Sequence, residues 1–291
     1  MGTFYHGSVP NHWSALRVLV PTRAPVTSTY LKTTIENLVF RGSNDQFEAA
    51  IWYVLSRAIE SGLSTLTCAI DELMEFHGEA EANSVVLPAI VAWYSEPSRL
   101  SKLLSLVYNE GLDATLAKSF IHPSGFDKLV LLSGKHFALR VHNFHSKEVQ
   151  RPSENVHNHR WEFASSIVYG YFISDIFVPN TNGTEVRNHY TYSKQGMSYQ
   201  GRTGVSKVDS HTLTKGTNYY CPVSVYHSIT EVASTGAITV MATGFAKGDT
   251  TEVYAKNELD TGEESSHCGL GMFNKDTLQA KFNSIKELVS A

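Results

Sequence analysis

The sequence predicts an α+β protein in which helices come first, strands follow and one helix closes the chain. In the first third, apolar residues between Phe47 and Ile59 recur at i, i+3, i+4 and i+7, as on the buried face of an amphipathic helix. Further along, runs such as residues 163–169 are rich in aromatic and β-branched side chains, which favours strands. Near the end, residues 278–288 carry a single apolar stripe at helical spacing.

The helical patterns share no fixed period, which argues against a repeat solenoid. Beyond the 47–59 stretch, they lie around residues 28–40, 64–77, 83–95, 98–109 and 112–120. Pro123 and Gly125 interrupt the pattern, and strands are predicted soon after them. We predict three regions: a helical part over residues 1–121, a strand-rich part over 122–256, and a C-terminal part over 257–291. The C-terminal part consists of a polar surface loop at 257–271 followed by a closing helix. We expect the helices to pack outside the strands, where they could cover a cavity or form a homodimer surface.

Composition describes an ordinary globular protein and excludes several function classes. The 291 residues are 42% hydrophobic and 18% charged, with a net charge of -4, and no basic block indicates a nucleic-acid partner. No apolar run is long enough to span a membrane, and the first residues lack the pattern of a signal peptide, so we expect a cytoplasmic protein with no membrane partner. Three cysteines, far apart and odd in number, argue against a disulfide framework.

The strongest chemical signal is a pair of histidines one residue apart. His157 and His159 project to the same side if the segment is extended, because side chains alternate along a strand. A second strand-like run, residues 216–226, passes through Pro222 and ends at His227. These three histidines are the candidate metal ligands.

These residues resemble the two sequence motifs of the cupin superfamily. In the first motif, His157, His159 and a closing Gly170 fit, while Phe163 stands at the place of the motif's glutamate and Arg151 at that of its opening glycine.

The second motif is matched by Gly216, Pro222 and His227 at the right spacing, while Ser224 replaces a glycine and Glu231 an asparagine. The resemblance covers roughly residues 125–247. It implies a double-stranded antiparallel β-barrel, a jelly-roll-like fold that closes around a small cavity.

The departure at Phe163 removes the carboxylate ligand of the family, and neighbouring Glu162 has the wrong parity to replace it. What remains is a neutral three-histidine set, similar to the facial arrangement of thiol dioxygenases. The likeness stops there, since residues 240–244 lack the Ser, His and Tyr that those enzymes carry on a late strand. The resemblance implies a non-haem Fe(II) dioxygenase that binds dioxygen and a small organic substrate on a metal with about three open positions.

Candidate substrate-binding residues lie nearby in the sequence. Arg140 is a candidate for pairing with a substrate carboxylate, with an exterior salt bridge as the alternative. Tyr192 is a candidate proton donor or orienting group. His142 shares parity with Arg140 and could line the cavity or be a structural histidine. Cys221 could face the cavity or be a small buried thiol, and Trp161 is expected to wall the cavity.

Other function classes stay open. Three imidazoles suit zinc, nickel or manganese as well as iron, which would give a redox-inactive isomerase, lyase or hydrolase. A non-catalytic barrel that only binds a small molecule, and whose binding would not depend on the histidines, is the third class, because a fold does not determine its chemistry.

Overall fold

A computed structural model of the chain describes residues 44–145, 154–259 and 271–291. The helix predicted around residues 28–40 and the Arg151 position of the first motif lie outside these ranges, as does most of the predicted 257–271 loop. In the described chain no helix combines the length and apolar character needed to cross a membrane.

The first described part is helical, as the periodicity predicted. The helices are α1 (Asn44–Glu60), α2 (Leu63–Glu81), a π-helical turn (Ala82–Val86), α3 (Leu87–Tyr94), α4 (Pro97–Glu110) and α5 (Leu112–Leu116). Local signals explain several boundaries. Gly78, at φ 66°, interrupts α2, and the Glu96 side chain caps α4 by accepting hydrogen bonds from the Ser98 and Arg99 amides. The prediction of helix up to residue 120 was wrong, because α5 ends at Leu116 and a strand begins at Phe120.

The second part is a large antiparallel sheet. Its strands are β1 (Phe120–His122), β2 (Phe126–Ser133), β3 (Ala138–Phe144), β4 (Val156–His157), β5 (Trp161–Pro179), β6 (Glu185–Ser193), β7 (Gly196–Thr214), β8 (Asn218–Cys221), β9 (Tyr226–Ala246), β10 (Thr251–Ala255) and β11 (Gly271–Met272). The long strand β9 pairs with β3, β4 and β5, and β5 also pairs with β7 and β8. These two strands therefore organise the sheet.

The third part is the closing helix α6 (Lys275–Ser290), which begins at a capping box made by Asn274 and Thr277. Its apolar stripe is buried, as predicted, with Leu278, Phe282 and Ile285 fully or almost fully covered. One detail of the preceding loop was wrong, since Gly271 belongs to the short strand β11, which pairs with β1.

Helices and sheet share one hydrophobic core. It combines Leu129, Leu139 and Val240 from one face of the sheet with side chains from α1 to α4 and from α6. The helices thus cover that face, as the sequence led us to expect, and the α+β class with helices at both ends is confirmed. The opposite face of the same strands carries the chemically interesting residues.

Asn83, in the π-helical turn, ties the helices to the sheet. Its buried side chain accepts a hydrogen bond from the Phe245 amide at 3.1 Å and donates one to Glu162 at 2.9 Å.

We expect Asn83→Ala to lower the free energy of unfolding by about 2 kcal/mol, because the partly buried amide of Phe245 loses its hydrogen-bond acceptor. Urea denaturation tests this; Asn180→Ala, which removes two longer hydrogen bonds from a turn, is the control and should change stability less.

Candidate metal centre

Strand pairing brings the three histidines of the two motifs together. His157, in β4, is paired directly with His227, near the start of β9, and directly paired residues point to the same face of a sheet. His159 is not on a strand as predicted, since β4 has only two residues and His159 lies in the connection to β5. Its ring still turns toward the other two.

The distances describe a compact imidazole cluster. One nitrogen from each histidine lies within 4.8 Å of the others. The Nε2 atoms of His159 and His227 are 3.0 Å apart, and the His157 ring centroid is 4.8 Å from each of the other two.

The surroundings disfavour the protonated form of two of the three imidazoles. Burial lowers the pKa of His227 to about 3, with a further contribution from His157, and lowers that of His159 well below its usual value. Nδ1 of His157 lies 2.9 Å from the carbonyl oxygen of Asn155. A carbonyl only accepts, so Nδ1 is the donor and Nε2 is the nitrogen left to bind a metal.

The donor set fits a divalent transition metal. Two ligands about 2.1 Å from a metal and at right angles lie about 3.0 Å apart, which matches the His159–His227 separation. The ligand nitrogen of His157 stands farther off, within 4.8 Å of the other two. Without a metal, the facing Nε2 atoms could share only one proton.

The position of the missing carboxylate is apolar, as the sequence indicated. The Phe163 ring lies 5.0 Å from the His159 ring and 6.2 Å from the His227 ring. Glu162 points away, toward Asn83 and Lys247 on the helix-covered side. The three imidazoles therefore have no carboxylate beside them within the described chain.

The glycines of both motifs have a structural reason. Gly170 has a φ of 67° in a bulged part of β5, and a Cβ there would lie 2.1 Å from the carbonyl oxygen of Gly236. Gly216, at φ 89°, makes the tight turn from β7 into β8. Both positions require a residue without a side chain.

Arg140 and His142 lie on the same face as the histidines. They alternate on β3 with Leu139 and Val141, which belong to the core on the other side. The guanidinium carbon of Arg140 is 5.4 Å from the ring centroid of Trp161, and that ring is 6.2 Å from the His159 ring. Arg140 has no ion-pair partner in the described chain, and it faces the aromatic ring that lies beside His159.

Tyr192 and Cys221 have different surroundings. Tyr192, on β6, is paired with Thr251 of β10, and His157 is paired with Val253 of the same strand. Thr251 and Val253 are two positions apart and point to the same face. Tyr192 therefore shares the face of His157, at some distance from it. Its role stays a prediction. Cys221 packs against Phe163 and Met241, and burial raises the pKa of its thiol to about 12, which makes it an inert core residue.

Sequence reasoning missed Lys128. It lies directly opposite His142 in the pairing of β2 with β3, on the face of Arg140. The alternation of Phe126, Lys128 and Val130 along a strand was the available signal. It becomes informative only once β2 is known to pair with β3.

Comparison with known proteins gives a likeness to cupins of known structure. No family model and no curated protein matches the chain. An RmlC-like cupin from Shewanella frigidimarina is 17% identical over 45% of this chain and 87% of its own, with a TM-score of 0.27. Hydroquinone 1,2-dioxygenase from Sphingomonas, with 4-hydroxybenzoate bound, is 10% identical over 40% and 64%, with a TM-score of 0.27. A structure of DMSP lyases is 14% identical over 43% and 51%, with a TM-score of 0.25.

Proposed function

We propose that the protein is a non-haem Fe(II)-dependent oxygenase of the cupin type, in which His157, His159 and His227 hold the metal. The observation that carries the proposal is the convergence of three imidazole nitrogens within 4.8 Å of one another. The partners of this activity are dioxygen and a small organic substrate, and its location is the cytoplasm.

The strand pairings support a double-stranded barrel around the site. From β4 the pairings pass to β9, β5, β7, β6 and β10 and return to β4. Such a circuit would enclose the histidine face and leave the helices outside.

The residues of the site suit metal-assisted chemistry. Ferrous iron held there would supply open coordination positions and the electron transfer that dioxygen activation needs. Because the three ligands are neutral, they leave the metal's positive charge uncompensated, which favours an anionic substrate. The rings of Phe163 and Trp161 flank His159 and would exclude water from the reacting groups.

A redox-inactive metal enzyme is the second candidate, favoured by the same donor set. Three neutral imidazoles bind zinc, nickel or manganese as well, and such a centre would serve an isomerase, lyase or hydrolase. A barrel that binds a ligand without turnover remains the third class.

Metal analysis followed by oxygen uptake separates these classes. For protein purified anaerobically without added metal, we expect near one iron per chain by elemental analysis. With a panel of small organic acids, the iron form should consume dioxygen, and the same preparation reloaded with zinc should not, because zinc has no accessible second redox state. Near one native zinc, with turnover but no dioxygen consumption, would establish the second class instead. Absence of bound metal would favour the binding protein.

A further inference from the structure

A group of cations lies beside the three histidines on the same side of the sheet. Lys128 on β2, Arg140 on β3 and Arg160, next to the start of β5, form what we call the basic cluster. The guanidinium carbons of Arg140 and Arg160 lie 5.4 Å and 4.8 Å from the centroid of the Trp161 ring. All three cations act electrostatically on one another.

The charge of the basic cluster is not neutralised within the described chain. None of its members forms an ion pair with a carboxylate there. Burial lowers the pKa of Lys128 to about 7, with the charges of Arg140 and Arg160 adding to the effect. Burial and Arg160 lower the pKa of Arg140 to about 10. Burying like charges together costs free energy unless an anion joins them.

Cation–π contacts account for only part of this arrangement. Lys128 lies 4.9 Å from the Phe120 ring, and Arg140 faces the Trp161 ring. An aromatic face attracts a cation, but it is neutral and leaves the repulsion between the cations in place.

Buried polar atoms without partners also point to a ligand. Among the described residues, Nε of Arg140, Nε1 of Trp161 and Nε2 of His142 have no hydrogen-bond partner and no contact with solvent. The first two are obligatory donors, so each needs an acceptor. Native proteins seldom leave such groups unsatisfied, and a binding site is a common reason when they do.

The Trp161 ring is a neighbour of both Arg140 and the imidazole cluster. The guanidinium carbon of Arg140 is 5.4 Å from the centroid of that ring, and the ring is 6.2 Å from the His159 ring. A small molecule held at Arg140 is therefore near enough for its other end to reach the imidazole cluster.

We propose that Arg140, Lys128 and the indole N–H of Trp161 bind the carboxylate of a small organic acid, whose other end reaches the metal centre. This assignment of substrate class rests on the proposed function. Arg140 would pair with the carboxylate oxygens, and Lys128 would add a second positive charge. Arg160 contributes to the field without being required for contact.

Binding to the metal-free protein tests the subsite separately from the oxygenase. The probes are benzoate and its neutral counterpart benzamide, followed by calorimetry or tryptophan fluorescence. We expect saturable benzoate binding at millimolar concentrations or below, weakened at least about tenfold in Arg140→Met and by a smaller factor in Lys128→Met. Benzamide should bind weakly to all forms.

Lys281→Met is the matched control, because Lys281 is a partly buried lysine that pairs with Asp127 on the opposite face of β2. It should leave benzoate binding unchanged. A stability readout adds a second criterion. Removing an unpaired cation should raise the melting temperature of Lys128→Met by about 2 °C or more, whereas removing a paired one should lower that of Lys281→Met.

Three results would overturn the subsite. They are no benzoate binding by the wild-type protein, equal binding by Arg140→Met, and inorganic phosphate binding at least tenfold tighter than benzoate, which would indicate a phosphate-bearing ligand. Benzoate binding is measured on the metal-free protein, so it tests the subsite independently of the oxygenase. If benzoate binds as expected but the iron form consumes no dioxygen, the subsite is retained and the oxygenase is rejected. If the iron form consumes dioxygen but Arg140→Met binds benzoate like the wild type, the oxygenase is retained and the subsite is rejected.

Discussion

Replacing His159 with alanine is expected to lower metal affinity by at least about tenfold, because even the loss of a residue behind a ligand costs 10 to 100-fold. The Nε2 atoms of His159 and His227 are the closest pair in the cluster. This variant therefore removes one of the two ligands whose spacing already suits a shared metal. Two remaining imidazoles would leave the metal mostly exchangeable. The measurement is metal per chain after dialysis against a weak chelator, with a competition titration for the affinity.

His136→Ala is the control for loss of a histidine. His136 contacts Glu75 at 2.9 Å and packs against the Phe245 ring, and it is not part of the imidazole cluster. It should bind metal like the wild type. If His159→Ala also retains its full metal content and affinity, His159 is not a ligand and the three-histidine centre is wrong.

Asp127→Ala is expected to lower the free energy of unfolding by about 3 kcal/mol, the largest stability effect that we predict. The Asp127 side chain is fully buried, and its oxygens lie 2.8 Å from both His145 and Lys281 and 2.9 Å from the Asn143 amide. The variant leaves these donors without an acceptor and removes the ion pair between Lys281 of α6 and the sheet. Because His145 and Lys281 are both partly exposed, water can recover some of the loss. Urea denaturation monitored by circular dichroism measures it.

The same carboxylate predicts a dependence of stability on pH. Burial raises the pKa of Asp127, but hydrogen bonds from His145 and Lys281 outweigh it, so the net pKa lies below the usual value. A carboxyl with a lowered folded-state pKa stabilises the fold above its unfolded pKa of about 3.9 and loses that contribution as pH falls through the folded value. The stability difference between the wild type and Asp127→Ala should thus be constant above about pH 5 and shrink below about pH 4.

Glu75→Ala provides the matched control for removal of a carboxylate. Glu75 pairs with Lys135 and His136 on the surface, where water and salt screen the interaction. Its loss should change stability little. Equal destabilisation by the two variants would show that the buried position of Asp127 has no special importance.

Local patterns in the sequence were enough for most of the helices. The apolar period of residues 47–59 predicted α1, and the stripe from Leu278 predicted the core face of α6, because helical side chains repeat along one stretch of chain. Parity on β3 likewise placed Arg140 and His142 on one face. Errors occurred at boundaries, such as the early end of α5 at Leu116, where tertiary pairing of Phe120 with Lys128 replaces the helical pattern.

The sequence by itself determined the chemistry available, namely three histidines at motif spacing, with Phe163 where a carboxylate would be. Only the tertiary structure decided which other residues lie next to them in space. His157 and His227 are 70 positions apart and come together through one register between β4 and β9. Pairing of β2 with β3 likewise places Lys128 opposite His142 and near Arg140. Side-chain alternation is a property of each strand, whereas register depends on the packing of the whole sheet, and a single-residue slip would turn these side chains to the other face.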